Sequence, residues 1–228
     1  MVAPSPVSPV SSPPLQTLPE EWANALSHVL PCLLALLALP ALAQQVHAPN
    51  QPWRMAALVL FLGSMALVYG VSSVYHALPL GRAKALWRRL DHAAIFVFIA
   101  GSYSPFALAA WQRTSGADSL RHGALLAAVW ALALAGVAVK LTLPLRGVGH
   151  STLLYLVFGC TVGATAGPAL AQLPALALQV FLAGGAAYLL GVGFFWLSPR
   201  LRYSHFVWHL CVITGSACHA WVVLNLLR

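Results

Sequence analysis

Charged side chains are scarce in this chain: Asp, Glu, Lys and Arg make up only 7% of its 228 residues, where a soluble domain carries roughly 25%. Hydrophobic residues reach 60% and the mean hydropathy is +0.81. A water-soluble fold is thereby excluded, and the composition is that of an integral, multi-pass membrane protein, with a plasma or inner membrane as the expected location. Acidic residues are scarcest, four against twelve Lys and Arg. In a membrane protein that excess reports orientation in the bilayer, so it does not point to nucleic acid as a partner. Cysteine is also sparse. Cys32, Cys160, Cys211 and Cys218 lie in apolar segments with no CxxC pair, which argues against a disulfide framework or a thiolate zinc site. Residues 1–19 lack Lys and Arg altogether and are rich in Pro and Ser; they read as a disordered tail, and the missing basic segment argues against a cleaved signal peptide.

What remains, residues 20–228, reads as one transmembrane domain. An apolar span of about 20 residues crosses a bilayer as a helix, and such spans fall near 25–44, 55–78, 91–111, 122–143, 151–168, 175–197 and 205–226. The expected fold class is an all-α bundle of seven transmembrane helices. Gly163, Gly167 and Pro168 interrupt the fifth span, but Gly159, Gly163 and Gly167 have the GxxxG spacing that suits close helix packing and permits self-association into a homo-oligomer. With the N-terminus cytoplasmic, the inside loops carry Arg82, Lys84, Arg88, Arg89, Lys140, Arg146, Arg200 and Arg202, and the outside segments carry Arg54, Arg113, Arg121 and Arg228. This split predicts an inside N-terminus and an outside C-terminus.

Within that topology the last span opens on Ser204-His205-Phe206-Val207-Trp208-His209. Residues four apart share a helix face, so His205 and His209 present two imidazoles to one point. Hydrogen-bonded polar packing is the ordinary reason for such a pair; a position inside a membrane span turns it into a functional candidate. His76, near the end of the second span, and Asp91, at the start of the third, come to the same membrane depth. Three imidazoles with a fourth position left open describe a catalytic type of zinc site, in which bound water ionises near neutral pH. Asp91 is placed to hold or deprotonate that water, unless it forms a plain ion pair with Arg88 and Arg89. Ser72, one turn from His76, is placed to support a ligand or an oxyanion, unless its hydroxyl bonds its own helix four residues back. Glu21, Asn24 and His28 fall on one face at intervals of three and four, as a polar patch at the same mouth or as an ordinary helix cap. His219 is about 15 Å further along the last helix, too far to share a metal, and His92 points away around its helix from Asp91. His47, His122 and His150 sit at span edges or in loops.

Taken together, Glu21-x-x-Asn24-x-x-x-His28, Ser72-x-x-x-His76, Leu90-Asp91-His92 followed by Ala100-Gly101-Ser102-Tyr103-Ser104-Pro105-Phe106, and His205-x-x-Trp208-His209 resemble the hemolysin III and progestin/adipoQ receptor (PAQR) family. That family sits within a superfamily of seven-helix membrane hydrolases that includes the alkaline ceramidases. The resemblance runs from about residue 20 to the end. It implies zinc near the cytoplasmic face on His76, His205 and His209, with Asp91 holding the metal's water, Ser72 in support, and Glu21, Asn24 and His28 as a functional patch. Phe206 directly follows His205, so the segment offers no HExxH-like base and proton transfer falls to Asp91. With only the short tail of residues 1–19 before the first span, a long N-terminal domain of the adiponectin-receptor sort, and with it recognition of a protein hormone, is not expected.

The expected function is metal-dependent hydrolysis of a lipid amide, ceramide-like, or of a lipid ester, with membrane lipid as the partner. One alternative is a receptor that binds a lipid or sterol and keeps zinc as a structural element. Another is a cytolytic, hemolysin-like protein, which the clustering of polar residues at one end of the bundle supports poorly.

Overall fold

The computed structural model describes residues 16–143 and 148–227, and every regular element among them is a helix. In chain order these are α1 (Leu18–Val46), α2 (Pro52–Ala77), α3 (Arg82–Gln112), α4 (Gly116–Thr142), α5 (Val148–Thr165), the single turn α6 (Gly167–Leu170), α7 (Ala175–Leu197) and α8 (Ser204–Leu227). Six of them, all but α5 and α6, are long and apolar enough to cross a membrane. The chain is an integral, multi-pass membrane protein.

Several boundaries depart from the expectations, each for a local reason. Helix α1 starts at Leu18 because Thr17 and Glu20 form a cap: the Thr17 backbone N–H and hydroxyl both donate to Glu20 Oε2, at 2.9 and 2.6 Å. Of the expected tail, residues 18–19 are therefore helical, Gln16 and Thr17 bond to side chains of α1, and 1–15 lie outside the described residues. Pro31 and Pro40 lie within α1 without ending it. Helix α3 starts at Arg82, well ahead of Asp91, because nothing after Gly81 breaks it; its basic first turns lie beyond the apolar run. Of the fifth expected span, the described apolar part is Thr152–Thr165, and the chain then forms the separate turn α6. Among the described residues, length and composition thus show six spans.

Helix α3 is the central element: 78% of its apolar window is buried, against 17% or less for α1, α4 and α7. It packs on α2 and α4 along its length, α1 packs on α2, and α7 on α8, with α1 against α8 bringing the first and last helices together. The core is aliphatic and aromatic, with Tyr69, Phe61, Phe106 and Leu58 fully buried.

Glycine permits close approaches at Gly101, Gly136, Gly184, Gly191 and Gly215, not where the GxxxG spacing pointed. Added Cβ atoms at Gly159, Gly163 and Gly167 would meet nothing within 4 Å, so among the described residues they make no close helix contact. A Cβ at Gly101, in contrast, would lie 2.7 Å from the Leu60 carbonyl oxygen of α2, and one at Gly191 would lie 2.7 Å from the Trp208 ring of α8. Gly101→Ala should therefore destabilise the bundle by about 1–3 kcal/mol, as overpacking does, and Gly163→Ala should be neutral or slightly stabilising. Thermal unfolding of the two variants in one detergent tests the difference.

Candidate metal centre

The start of α8 is pinned from three sides. Tyr203, just before it, holds a left-handed backbone at φ 57°, unusual for a bulky residue, and its N–H donates to Glu20 Oε1 at 2.8 Å. The Ser204 hydroxyl donates to the Phe194 carbonyl of α7 at 2.7 Å. Trp208 lies against Gly191. His205 and His209 thus leave a helix whose register is fixed by α1 and α7 together.

His76 comes from the last turn of α2. That turn is closed by Lys84, whose ammonium donates to the carbonyls of Tyr75, His76 and Leu78 at 3.1, 3.4 and 3.0 Å, a side-chain cap on a helix C-terminus. The three imidazoles then meet. His76, His205 and His209 each offer a ring nitrogen, and these atoms lie within 4.8 Å of one another. Ring centroids are 5.1 Å apart for His76 with His205 and with His209, and 4.7 Å for His205 with His209.

The hydrogen bonds behind the rings decide which atoms are free. His76 Nδ1 lies 2.7 Å from Glu21 Oε2; a carboxylate accepts, so Nδ1 carries the proton and Nε2 is left with its lone pair. His76 Nε2 is buried and has no hydrogen-bond partner. The second oxygen of Glu21 pairs with Lys84 at 3.1 Å. His209 Nδ1 lies 3.3 Å from the Asn24 carbonyl and 2.9 Å from the Ser27 hydroxyl; donation to that carbonyl again turns Nε2 toward the other rings. A buried imidazole nitrogen with no partner is costly unless something binds it, and a carboxylate behind a ligating histidine is the usual support for a bound metal. Three neutral imidazoles suit zinc and other borderline divalent ions.

Asp91 and Ser72 lie beside this group. Asp91 is half-buried and within electrostatic range of His76, and the Ser72 side chain interacts with it. Among the described residues no Lys or Arg nitrogen is in ion-pair contact with Asp91, so the ion pair with Arg88 or Arg89 is not formed. Ser72 is buried. Asp91 stands outside the cluster of ligand atoms.

The side chains of Glu21 and His28 in the α1 motif meet the histidines, and Asn24 reaches His209 through its backbone carbonyl. Glu21 supports His76. His28 stacks on His209 with centroids 3.7 Å apart and planes at 10°, and its other side meets Tyr69 at 4.7 Å. Both His28 ring nitrogens and Asn24 Oδ1 are buried without partners, while Asn24 Nδ2 donates to Gln16 at 2.8 Å. The capping that the motif could have supplied falls to Thr17 and Glu20 instead. His219 is remote from the cluster, its Nε2 3.2 Å from the Phe181 carbonyl and its ring stacked on Phe181.

Sequence reasoning did not single out Glu20, Ser27 or Lys84. The Thr17-x-x-Glu20 pattern was a legible capping signal, and Ser27 follows Asn24 by one turn. Nothing local marked Lys84, whose role depends on how the α2–α3 turn folds back.

A profile of the family described as Haemolysin-III related matches residues 16–220, nearly the whole chain and every residue of the centre. The chain belongs to the haemolysin-III family. It is 33% identical over 208 residues to a protein named Hemolysin-3 homolog from Bacillus subtilis (strain 168), covering 91% of this chain and 94% of that protein. It is 32% identical over 209 residues to Hemolysin-3 from Bacillus cereus, covering 92% of each. In this haemolysin-III chain, then, α1, α2 and α8 together build a site able to hold a metal ion.

If Glu21 orients His76 through Nδ1, Glu21→Gln should weaken metal binding about 10- to 100-fold, the usual cost of losing such a support. A competition titration with a chromogenic chelator reads this directly, and unchanged affinity would show that His76 is positioned by packing alone.

Proposed function

We propose that this protein is a zinc-dependent membrane hydrolase that cleaves a lipid amide or ester bond. The observation that carries the reading is the buried, unpartnered His76 Nε2 in a cluster of three ring nitrogens, next to a half-buried carboxylate with no cationic partner among the described residues. Three imidazoles leave a tetrahedral ion one open position, the arrangement of catalytic zinc sites.

Zinc, when bound, supplies Lewis acidity and makes water a nucleophile near neutral pH. The chain supplies the rest. Glu21 and the Asn24 carbonyl hold the His76 and His209 rings in the tautomer that leaves Nε2 for the ion. Asp91 takes the proton from the attacking water and returns it to the leaving amine or alcohol, as general base and then general acid. Ser72, interacting with Asp91, keeps that carboxylate aimed. The centre sits where α1, α3 and α8 begin and α2 ends, at one end of the bundle, so a lipid whose head lies at the membrane edge can reach it while its chains stay in the apolar layer. A ceramide-like amide fits this placement and the resemblance to the alkaline ceramidase superfamily, and the same end is cytoplasmic by the distribution of basic residues.

A second reading gives zinc a structural task in a lipid- or sterol-binding signalling protein; the packing of His28 against His209 favours it, since that contact ties the centre to the position of α1. The relatives bear a name derived from haemolysis, but both ion pairs among the described residues are at the histidine end, which is no support for a charged path across the bundle.

Purified wild type should hold about one zinc per chain by mass spectrometry, and a folded His205→Ala/His209→Ala variant should hold none. Hydrolysis of an N-acyl lipid should stop on chelation and return with added zinc. Asp91→Asn should keep the metal and lose about 10²- to 10⁴-fold in kcat, the range for a general acid–base. Metal retention with saturable lipid binding but no turnover would favour the receptor reading, and metal-free wild type would remove both.

A further inference from the structure

The end of the bundle away from the histidines carries a second feature that the metal centre does not use. A cavity of about 260 Å³ opens there between the end of α3, the turn leading from α6 into α7, and the last turns of α8. Its rim is polar, with Arg113, Gln172 and Asn225; Trp221 stands at the side, and Ala177 and Val222 line its inner wall. Arg113 and Gln172 also line a smaller neighbouring cavity. From His205 to Asn225 is about 30 Å along α8 at 1.5 Å per residue, so the two sites lie at opposite membrane edges.

The rim is chemically one-sided. Arg113 is exposed, and among the described residues no carboxylate is in ion-pair contact with it. Gln172 and Asn225 are exposed amides; one Asn225 N–H is spent on the Trp221 carbonyl at 2.7 Å, which leaves the second. The position of Arg113 at the C-terminus of α3 is favourable for any cation. That does not account for an apolar pocket beneath it. Ala177 and Val222 are buried, so a ligand seated there has donors around its head and hydrocarbon against its body. Trp221 is 42% exposed, as an aromatic side chain at the headgroup level of a bilayer is.

We infer that this cavity is a binding site for an anionic phospholipid, with the Arg113 guanidinium on the phosphate, the Gln172 and Asn225 amides beside it, and an acyl chain lying along α8. Charge complementarity selects the occupant. A guanidinium pairs with phosphate through two parallel N–H donors, and basic pockets between transmembrane helices are known to take anionic headgroups. The leaflet supplies such lipids at the depth where the rim lies.

Native mass spectrometry of the full chain from micelles with equal phosphatidylglycerol and phosphatidylcholine tests this. Wild type should retain one phosphatidylglycerol in about fivefold preference, the contribution of one interfacial basic residue. Arg113→Gln should erase the preference, Gln172→Ala should reduce it, and Arg121→Gln, a change of the same charge on the same end, should leave it intact. Equal retention of the two lipids would overturn the assignment. So would an equal loss in Arg121→Gln, which would make the effect one of general charge, or displacement of the phospholipid by oleate at matched concentration, which would make the cavity a carboxylate site. Because none of these residues touches the histidine cluster, each variant should retain the metal content of wild type.

Discussion

The centre depends on one carboxylate held between an imidazole and an ammonium, His76 and Lys84. Glu21 gives one oxygen to His76 and the other to Lys84. An ionised carboxylate taken out of water costs several kcal/mol unless it is paired and hydrogen-bonded, so Glu21 is tolerable only where both partners arrive. Lys84 arrives because it also closes the last turn of α2. The residue that ends the helix carrying His76 is therefore the residue that neutralises the support of His76. The end of α2, the start of α3 and the first turns of α1 are locked by one network, and the tautomer of a metal-ligand imidazole follows from it.

Helix α1 accordingly behaves as the organising strut of the site although it contributes no ligand. Its first three turns send Glu20 to the backbone before α8, Glu21 to α2, and the Asn24 carbonyl and Ser27 to His209. His28 then covers the face of His209. The ligands come from α2 and α8, but their orientations are set from α1. This is why the cap on Thr17 matters beyond local helix stability: it places Glu20 where one oxygen closes the cap and the other holds Tyr203 in its left-handed conformation.

How much of this could be read beforehand differs from feature to feature. The fold class and membrane character followed from composition, since a chain with so few charges has no aqueous fold available to it. The histidine pair on α8 was legible because the helical repeat alone puts His205 and His209 on one face. The meeting with His76 followed from counting crossings, which sends the end of one span and the start of another to the same edge. The partners of the rings were not legible. Lys84 and Ser27 act through distances set by the packing of three helices, and no spacing in the sequence records them. The glycines mislead for the converse reason. GxxxG at Gly159 describes a helix surface that permits close approach, but whether another helix uses it is a tertiary matter, and among the described residues close approaches are at Gly101, Gly136, Gly184, Gly191 and Gly215. The length of α3 was underestimated because hydropathy marks where the apolar layer begins, and a helix with basic first turns extends beyond it.

The two ends of the molecule pose opposite electrostatic problems, and the difference bears on what each can bind. At the histidine end the negative charge is provided by the chain: Glu21 is paired, Asp91 has no cationic partner among the described residues, and a cation in the cluster of ring nitrogens would complete the balance. At the far end Arg113 has no carboxylate in ion-pair contact among the described residues, and on the proposal above a lipid phosphate would balance it. Under the proposed hydrolase reading, an amphiphile approaching the first end would meet a site that takes a cation, and that cation would draw electrons from a carbonyl. One approaching the second would meet a guanidinium and two amides, which can hold a headgroup. On these proposals chemistry and anchoring would be separated by the thickness of the membrane, with α8 spanning the distance between them.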